Sequence, residues 1–283
     1  MDFLATHENT VRLAVFAGVL LLMALLEALF PRRARVQSRV RRWASNLGLI
    51  AIDTLALRLV LPIVAVGMAA FTAERGWGLL NLVAWPAWLE IVLAVVVLDM
   101  LIYWQHVATH HIPWLWRLHK IHHADRDFDV TTGIRFHPVE IILSMLYKFV
   151  CIIVLGPAVA AVILFEVLLN GCAMFNHANV RLPAWFDRCL RLVIVTPDMH
   201  RVHHSVVPTE TNSNYGFSLS WWDRLFGTYI PQPQAGHDGM TIGLAQYQDE
   251  RPASLAWILT VPFRSEKRQR SIGSRTRSRL DGR

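Results

Sequence analysis

Long apolar segments alternate with short polar ones in the first 170 residues of the chain. Three of them, residues 13–30, 47–71 and 88–104, are each long enough to cross a hydrocarbon layer of about 30 Å as a helix. A fourth stretch, residues 141–169, is interrupted by Gly156 and Pro157, which favours a short or re-entrant helical hairpin. The pattern predicts an all-α integral membrane protein built from transmembrane helical hairpins.

Basic residues suggest how these segments are oriented. Six arginines lie between Arg32 and Arg42, in the connection between the first two apolar segments, so this connection is expected in the cytoplasm and the amino terminus outside. A returning hairpin at 141–169 would keep the basic stretch Arg264–Arg283 in the cytoplasm as well. We therefore expect a multi-pass protein of the bacterial inner membrane with a cytoplasmic carboxyl terminus.

The apolar segments and their predicted orientation divide the chain into five parts. They are transmembrane helices 1–3 with the Arg-rich loop (1–104), a first cytoplasmic histidine segment (105–140), the membrane or re-entrant hairpin (141–170), a cytoplasmic cap (171–250) and a basic C-terminal tail (251–283).

The composition of the chain supports an integral membrane protein and excludes several other classes of protein. Hydrophobic residues make up 54% of the chain and charged residues 17%, which is incompatible with a disordered, collagen-like or disulfide-scaffold protein. The net charge of +7 comes from two local basic patches, Arg32–Arg42 and Arg264–Arg283. Because both lie beside apolar segments and no base-reading motif accompanies them, anionic lipids are the expected partners and nucleic acid is not.

The thirteen histidines are concentrated in a few short motifs. A helix brings residues i, i+3 and i+4 onto one face, so HxxxH and HxxHH each form a stripe of imidazoles. A shuffled sequence of this composition would contain roughly 0.03 HxxHH motifs, whereas this chain has two of similar sequence, as expected of a pseudo-repeat. The clustered histidines are His106 and His110 in HxxxH, and His119, His122, His123, His200, His203 and His204 in the HxxHH pair.

So many imidazoles predict a metal site. One metal takes about four to six ligands, so eight to ten histidines suit two metals. A structural zinc site is usually closed by four ligands and is too small for this set. A membrane metal transporter or storage protein, a zinc hydrolase with a metal-bound hydroxide and a non-catalytic scaffold that has kept the ligands are the alternatives to a redox enzyme.

The order of these motifs resembles the fatty acid hydroxylase/sterol desaturase superfamily of integral membrane di-iron enzymes. The resemblance covers about residues 99–229. Besides the histidines it rests on Asp99, Tyr103 and Trp104 before His106, on Arg135, Phe136, Pro138 and Glu140 around His137, on Phe175, Asn176 and Asn179 around His177, on Asn214, Tyr215 and Gly216, and on the run Trp222–Tyr229. It implies membrane hairpins that carry a cytoplasmic helical cap, with a histidine-rich dimetal site where they meet.

The resemblance also implies a ligand set. The eight histidines of the three boxes match its ligands, and His177 matches a further ligand position. Some members have HxxxH there, whereas this chain has Ala173 four residues before His177. The coordination position left open would be filled by His137, a water or Asn179. Asp99, Asn179 and Asp198 are hypothesised to orient the ligands. His7 and His237 are not expected to be ligands, and His111 points about 100° away from His110 on a helix.

The activity implied is O2-dependent hydroxylation or desaturation of a lipid by two iron ions. Zinc fits the same ligands and is expected as a substitute in purified protein. The lipid would enter from the bilayer, past residues such as Phe149 and Phe165. Sterol-like, fatty acyl and other isoprenoid lipids remain alternatives. Electrons must come from a separate ferredoxin, rubredoxin or cytochrome-like donor, because the chain has no dinucleotide fingerprint, haem motif or cysteine cluster.

Replacing the tail arginines of Arg264–Arg283 by glutamine is expected to lower turnover with an acidic donor without removing metal, because complementary charge speeds protein association. Turnover at several donor concentrations, with metal content measured in parallel, checks this. An unchanged rate would count against docking on the tail.

Overall fold

A computed structural model describes residues 7–264, so nearly all of the basic stretch Arg264–Arg283 lies outside the described residues. The described residues are helical, with three isolated β-bridges and no strand. The longer helices are α1 (Glu8–Leu29), α2 (Arg39–Val60), α3 (Ala65–Arg75), α4 (Ala87–His111), α5 (Pro113–His123), α6 (Pro138–Leu155) and α7 (Val159–Asn176). Shorter ones follow: α8 (Ala184–Leu190), α9 (Pro197–His203), α10 (Pro208–Thr211), α11 (Trp221–Leu225), α12 (Gly236–Gly239) and α13 (Leu255–Thr260).

Five segments are long and apolar enough to cross a membrane. They are Glu8–Leu29, Arg39–Leu82, Ala87–His111, Pro138–Leu155 and Val159–Asn176. Together with the histidine clusters described below, they confirm the predicted all-α membrane fold class. The orientation of the cap towards the cytoplasm stays a prediction.

The second apolar segment is not one continuous helix. Helix α2 begins at Arg39, eight residues before the apolar run 47–71, and ends at Val60, and α3 starts only at Ala65. Pro62 explains the break, because proline has no N–H to donate and disfavours helical backbone at the residue before it. Leu61 accordingly has extended backbone.

Helices α6 and α7 form an antiparallel pair that turns at Gly156. This glycine has a φ of 64°, a left-handed conformation, and a side chain there would collide with the carbonyl oxygen of Trp77. The Glu90 carboxylate accepts a hydrogen bond of 2.8 Å from the N–H of Ala158, which fixes the turn to the start of α4. Because the chain returns, His137 before α6 and His177 after α7 lie at the same end of the pair.

A buried arginine joins α2 to the loop that follows α5. Arg42 is fully buried, and its guanidinium donates to Asp125 at 2.7 Å and to Asp129 at 2.6 Å. Asn46, one turn later on α2, donates to Thr131 and accepts from Arg135. These polar contacts hold the histidine-rich segment, residues 105–140, against the ends of the long helices.

We expect Arg42→Met to destabilise the protein by about 3–5 kcal/mol, because it leaves two buried carboxylates without their cation. Thermal unfolding in detergent measures the effect, with the exposed neighbour substituted in Arg41→Met as the matched control. Equal melting temperatures for the two variants would contradict this account.

Candidate metal centre

Nine histidines meet at one end of the long helices, in two groups. Within each group one ligand atom from every residue lies within 4.8 Å of the others. All are buried except His110, which is partly buried. The first group contains His106, His110, His119, His123 and His203, and the second contains His122, His177, His200 and His204.

Each HxxHH motif contributes to both groups in the same way. His119 and His123 belong to the first group and His122 to the second, whereas His200 and His204 belong to the second group and His203 to the first. One motif thus gives its i, i+4 pair to one group and its i+3 residue to the other. The two copies of the predicted pseudo-repeat therefore contribute to the two adjacent groups in a reciprocal way: each supplies two histidines to one group and one histidine to the other.

Short helices that begin with proline hold both motifs. Pro113 is at the start of α5 and Pro197 at the start of α9, where the missing N–H costs nothing and the fixed φ favours the first turn. The Thr196 side chain also accepts from the N–H of Met199 and caps α9. In both cases the histidines occupy the last turn or the residue just after it.

Carbonyl and carboxylate oxygens fix the orientation of several rings through Nδ1. His106 contacts the carbonyl of Tyr215 at 2.8 Å, His203 that of Ser213 at 2.6 Å, and His177 that of Ala173 at 2.7 Å. The Nδ1 of His119 lies 2.6 Å from the Glu140 carboxylate. An Nδ1–H donor to oxygen leaves Nε2 of each ring as the free lone pair.

The Nε2 atoms of several of these rings face one another. Nε2 of His177 lies 3.1 Å from Nε2 of both His122 and His200, and the same distance separates His106 from His203. Two ligands at right angles, each about 2.1 Å from one ion, would be separated by roughly 3.0 Å. Eight further buried nitrogens have no hydrogen-bond partner among residues 7–264: His110 Nε2, His119 Nε2, His122 Nδ1, His200 Nδ1 and both nitrogens of His123 and His204.

Burial keeps these rings in the form that binds metals. Desolvation is the main cause that lowers the pKa of His122, His123, His200, His203 and His204 well below the usual value, and neighbouring histidines lower it further. The pKa of His177 falls to about 3 for the same main reason. Neutral imidazoles in this number and arrangement fit a pair of nitrogen-liganded metal ions.

Other residues proposed from the sequence lie outside both groups. The Nδ1 of His137 accepts from the N–H of Val139, and its Nε2 faces the Leu259 carbonyl at 3.2 Å. Asp99 accepts from the backbone at Ser218 and Leu219 and from the Trp222 indole. Asn179 binds the backbone of Arg33, and Asp198 pairs with Arg32 and Arg201. None of these hydrogen bonds reaches one of the nine histidines.

Sequence reasoning did not assign orienting roles to Glu140 or to the three carbonyl groups. Glu140 lies in the Arg135–Glu140 motif, so its position in the sequence offered a signal. The carbonyls of Ala173, Ser213 and Tyr215 offered none, because every residue type has a carbonyl. Gly133 has a further structural role, since a side chain there would collide with the Ala173 carbonyl that holds His177.

A cavity of about 250 Å³ adjoins the first histidine group. His106 and His119 line it, together with the aromatic rings of Phe16, Phe136 and Phe217. Phe149 and Phe165, which we expected along the substrate path, are not among its lining residues. Most of the wall is apolar, so the cavity suits a hydrocarbon segment close to the histidines.

Comparison with known proteins agrees with this geometry. The profile of the family described as Fatty acid hydroxylase matches residues 91–228, which include all nine clustered histidines. The chain belongs to the fatty acid hydroxylase/sterol desaturase superfamily. No solved structure matches.

Curated relatives of the chain are lipid enzymes by name. It is 30% identical over 194 residues to the ornithine lipid hydroxylase OlsE of Rhizobium tropici, covering 68% of this chain and 55% of the relative. It is 30% identical over 158 residues to the alkylglycerol monooxygenase of Xenopus tropicalis, covering 56% and 33%. A very-long-chain aldehyde decarbonylase of Oryza sativa, GL1-11, is 29% identical over 181 residues, covering 61% and 67%. The chain thus spans about half of the first relative and a third of the second.

Glu140→Ala is expected to lower metal affinity about 10–100-fold, because His119 loses the acceptor that orients its ring. Glu140→Gln should retain more metal, since its amide oxygen still accepts from Nδ1–H. Metal content after dialysis against a chelator measures this, and Glu90→Ala, at the other end of the bundle, is the control. Wild-type metal content in Glu140→Ala would refute the orienting role.

Proposed function

We propose that the protein is a membrane-embedded di-iron oxygenase that hydroxylates or desaturates a C–H bond of a lipid, using O2 and external electrons. The observation that carries this proposal is the pair of buried histidine groups next to a mostly apolar cavity. Family membership and the names of the relatives support a lipid substrate. The ligands proposed are the nine clustered histidines; His137 is not included.

The bound iron pair would supply the redox chemistry that no side chain provides. Hydroxylation converts a C–H bond and O2 into an alcohol and water with two electrons and two protons from outside. Desaturation removes two hydrogens from neighbouring carbons and, with the same external supply, yields an alkene and two waters. The hydroxylase and monooxygenase names among the relatives favour the first reaction.

The chain's own residues position the reaction. The carbonyls of Tyr215 and Ser213 and the Glu140 carboxylate hold ligand rings in a single orientation. The rings of Phe136 and Phe217 line the cavity that also contains His106 and His119 and make part of its wall apolar. A substrate C–H bond held in this cavity lies against the first histidine group.

Two alternatives are less well supported. A metal transporter needs ligands along a path through the membrane, whereas here they converge at one end of the helices. A zinc hydrolase would use the same ligands, but the relatives are named for oxidation or decarbonylation of lipids.

We place the metal site and carboxyl terminus on the cytoplasmic side of a bacterial inner membrane, as the basic connection near Arg32 predicts. A separate, acidic electron donor of the ferredoxin, rubredoxin or cytochrome type is the proposed partner. A surface cleft at this end is lined by Arg32, Arg181, Arg188 and Arg191 together with Asp187 and Asp198, so the cleft keeps a net positive charge that suits such a donor.

Lipid mass spectrometry of cells with and without the protein tests the proposal. We expect a lipid about 16 mass units heavier if it is hydroxylated, or about 2 lighter if it is desaturated. The product should disappear without O2 and in His122→Ala, which removes a ligand of the second group. Purified protein that turns over fully without iron would refute the proposal, and zinc-dependent, O2-independent hydrolysis would favour the hydrolase.

A further inference from the structure

The cavity beside the histidines has a polar section that a hydrocarbon chain alone does not require. Asp53, Gln105, Ser144, Lys148 and Asn170 all line it. Ser144 and Lys148 follow Glu140 on α6 at successive intervals of four residues, so one face of this helix is polar along the cavity. Polar groups within a membrane-spanning bundle are costly unless they have partners or bind something.

Two residues of this section have a buried oxygen without a hydrogen bond to any described residue: Gln105, through Oε1, and Asp53, through Oδ1. Asp53 is the carboxylate of the two and is 7% exposed. Lys148, the cation that lines the same cavity, is already paired with Glu166 at 2.8 Å, and Glu166 also pairs with Arg12. Glu140 is engaged by His119. Nothing in the described cavity wall therefore neutralises or hydrogen-bonds this oxygen.

Other buried aspartates of the described chain have a cation or several hydrogen-bond donors, although Asp187 pairs with Arg191 through one oxygen only. Asp125 and Asp129 bind the Arg42 guanidinium, and Asp99 accepts three hydrogen bonds from the segment 218–222. A buried oxygen that loses its water without gaining a partner destabilises the folded state, and more so if it is charged. Asp53 differs from these residues in lining a cavity, which indicates that its partner is a ligand.

We propose that Asp53 is a specificity-determining residue that accepts a hydrogen bond from a donor group at the polar end of the lipid substrate. The donor is a hydroxyl or an amine, and Ser144 and Asn170 offer further hydrogen bonds in the same section. The assignment of this ligand as the substrate rests on the proposed oxygenase function.

The dimensions of the cavity also indicate which part of the lipid would be oxidised. Asp53 lies seven residues, or about 10 Å, along α2 from Asn46, which contacts the histidine-rich segment at Thr131. A volume of about 250 Å³ is below the usual range of ligand pockets, so it holds only a segment of a lipid. The polar end and the oxidised carbon share this space, so oxidation is expected near the polar end of the lipid rather than at its far terminus.

Native mass spectrometry of the metal-loaded protein, released from nanodiscs, tests the recognition directly. The probes are hexadecanol and hexadecylamine, which donate hydrogen bonds, and methyl hexadecanoate, which only accepts them. Wild-type protein should retain both donors better than the ester. In Asp53→Leu the affinity for both donors should fall about ten- to a hundredfold, whereas that for the ester should stay nearly unchanged.

Two further variants separate the chemistry from the shape of the cavity. Asp53→Asn keeps an acceptor oxygen without charge, so its affinity for hexadecanol should stay close to the wild-type value while its affinity for hexadecylamine falls. Ile50→Val changes the same wall without changing a polar group, and should bind all three probes as the wild type does. If Asp53→Leu does not fold, the comparison of alcohol and amine in Asp53→Asn still decides.

The outcomes distinguish this inference from the proposed function. An equal loss of all three probes in the Asp53 variants, or no loss, overturns the role of Asp53 even in a protein that oxidises lipids. A donor preference that depends on Asp53 supports the role even in a protein that yields no oxidised product, since binding needs neither O2 nor electrons.

Discussion

The structure depends on one physical constraint, the burial of nine imidazoles in a space so small that their nitrogens face each other instead of water. A buried polar atom without a partner is costly, and eight ring nitrogens of the cluster have none within the described protein. A shared cation satisfies many lone pairs at once. The fold is therefore best understood as a support that brings four distant segments of the chain to one cluster of nitrogens able to bind metal.

In that support, buried ion pairs and backbone acceptors act together with the apolar packing of the helices. Arg42 joins α2 to the loop after α5 through Asp125 and Asp129, and Arg135 donates to the Ile121 carbonyl within the HxxHH segment. Such pairs add little net stability, but removing one partner leaves an uncompensated charge. Their value here lies in geometry, because they fix the segment in one arrangement relative to the helix ends.

The sequence was sufficient to predict the spans, the hairpin at Gly156 and the histidine motifs, since each is a local pattern of spacing and polarity. It was not sufficient for the contacts between segments. Asp99, Asn179 and Asp198 were plausible orienting residues by type, yet their oxygens accept from backbone, indole or arginine groups. The orienting groups include the carbonyls of Ala173, Ser213 and Tyr215, which carry no side-chain signal. The role of Pro62 in dividing the second apolar run also emerged only from the structure.

The same ligand set is compatible with hydroxylation and with desaturation, so the histidines alone cannot determine the product. What differs between the two reactions is which hydrogens of the substrate lie against the metal site, and the cavity wall controls that. In the proposed oxygenase, selectivity would therefore depend on residues of the cavity wall outside the two histidine groups. Asp53 on α2 and the polar face of α6 beyond Glu140 are the parts of the wall able to hold a lipid in one register, because an apolar surface alone lets a chain slide along it.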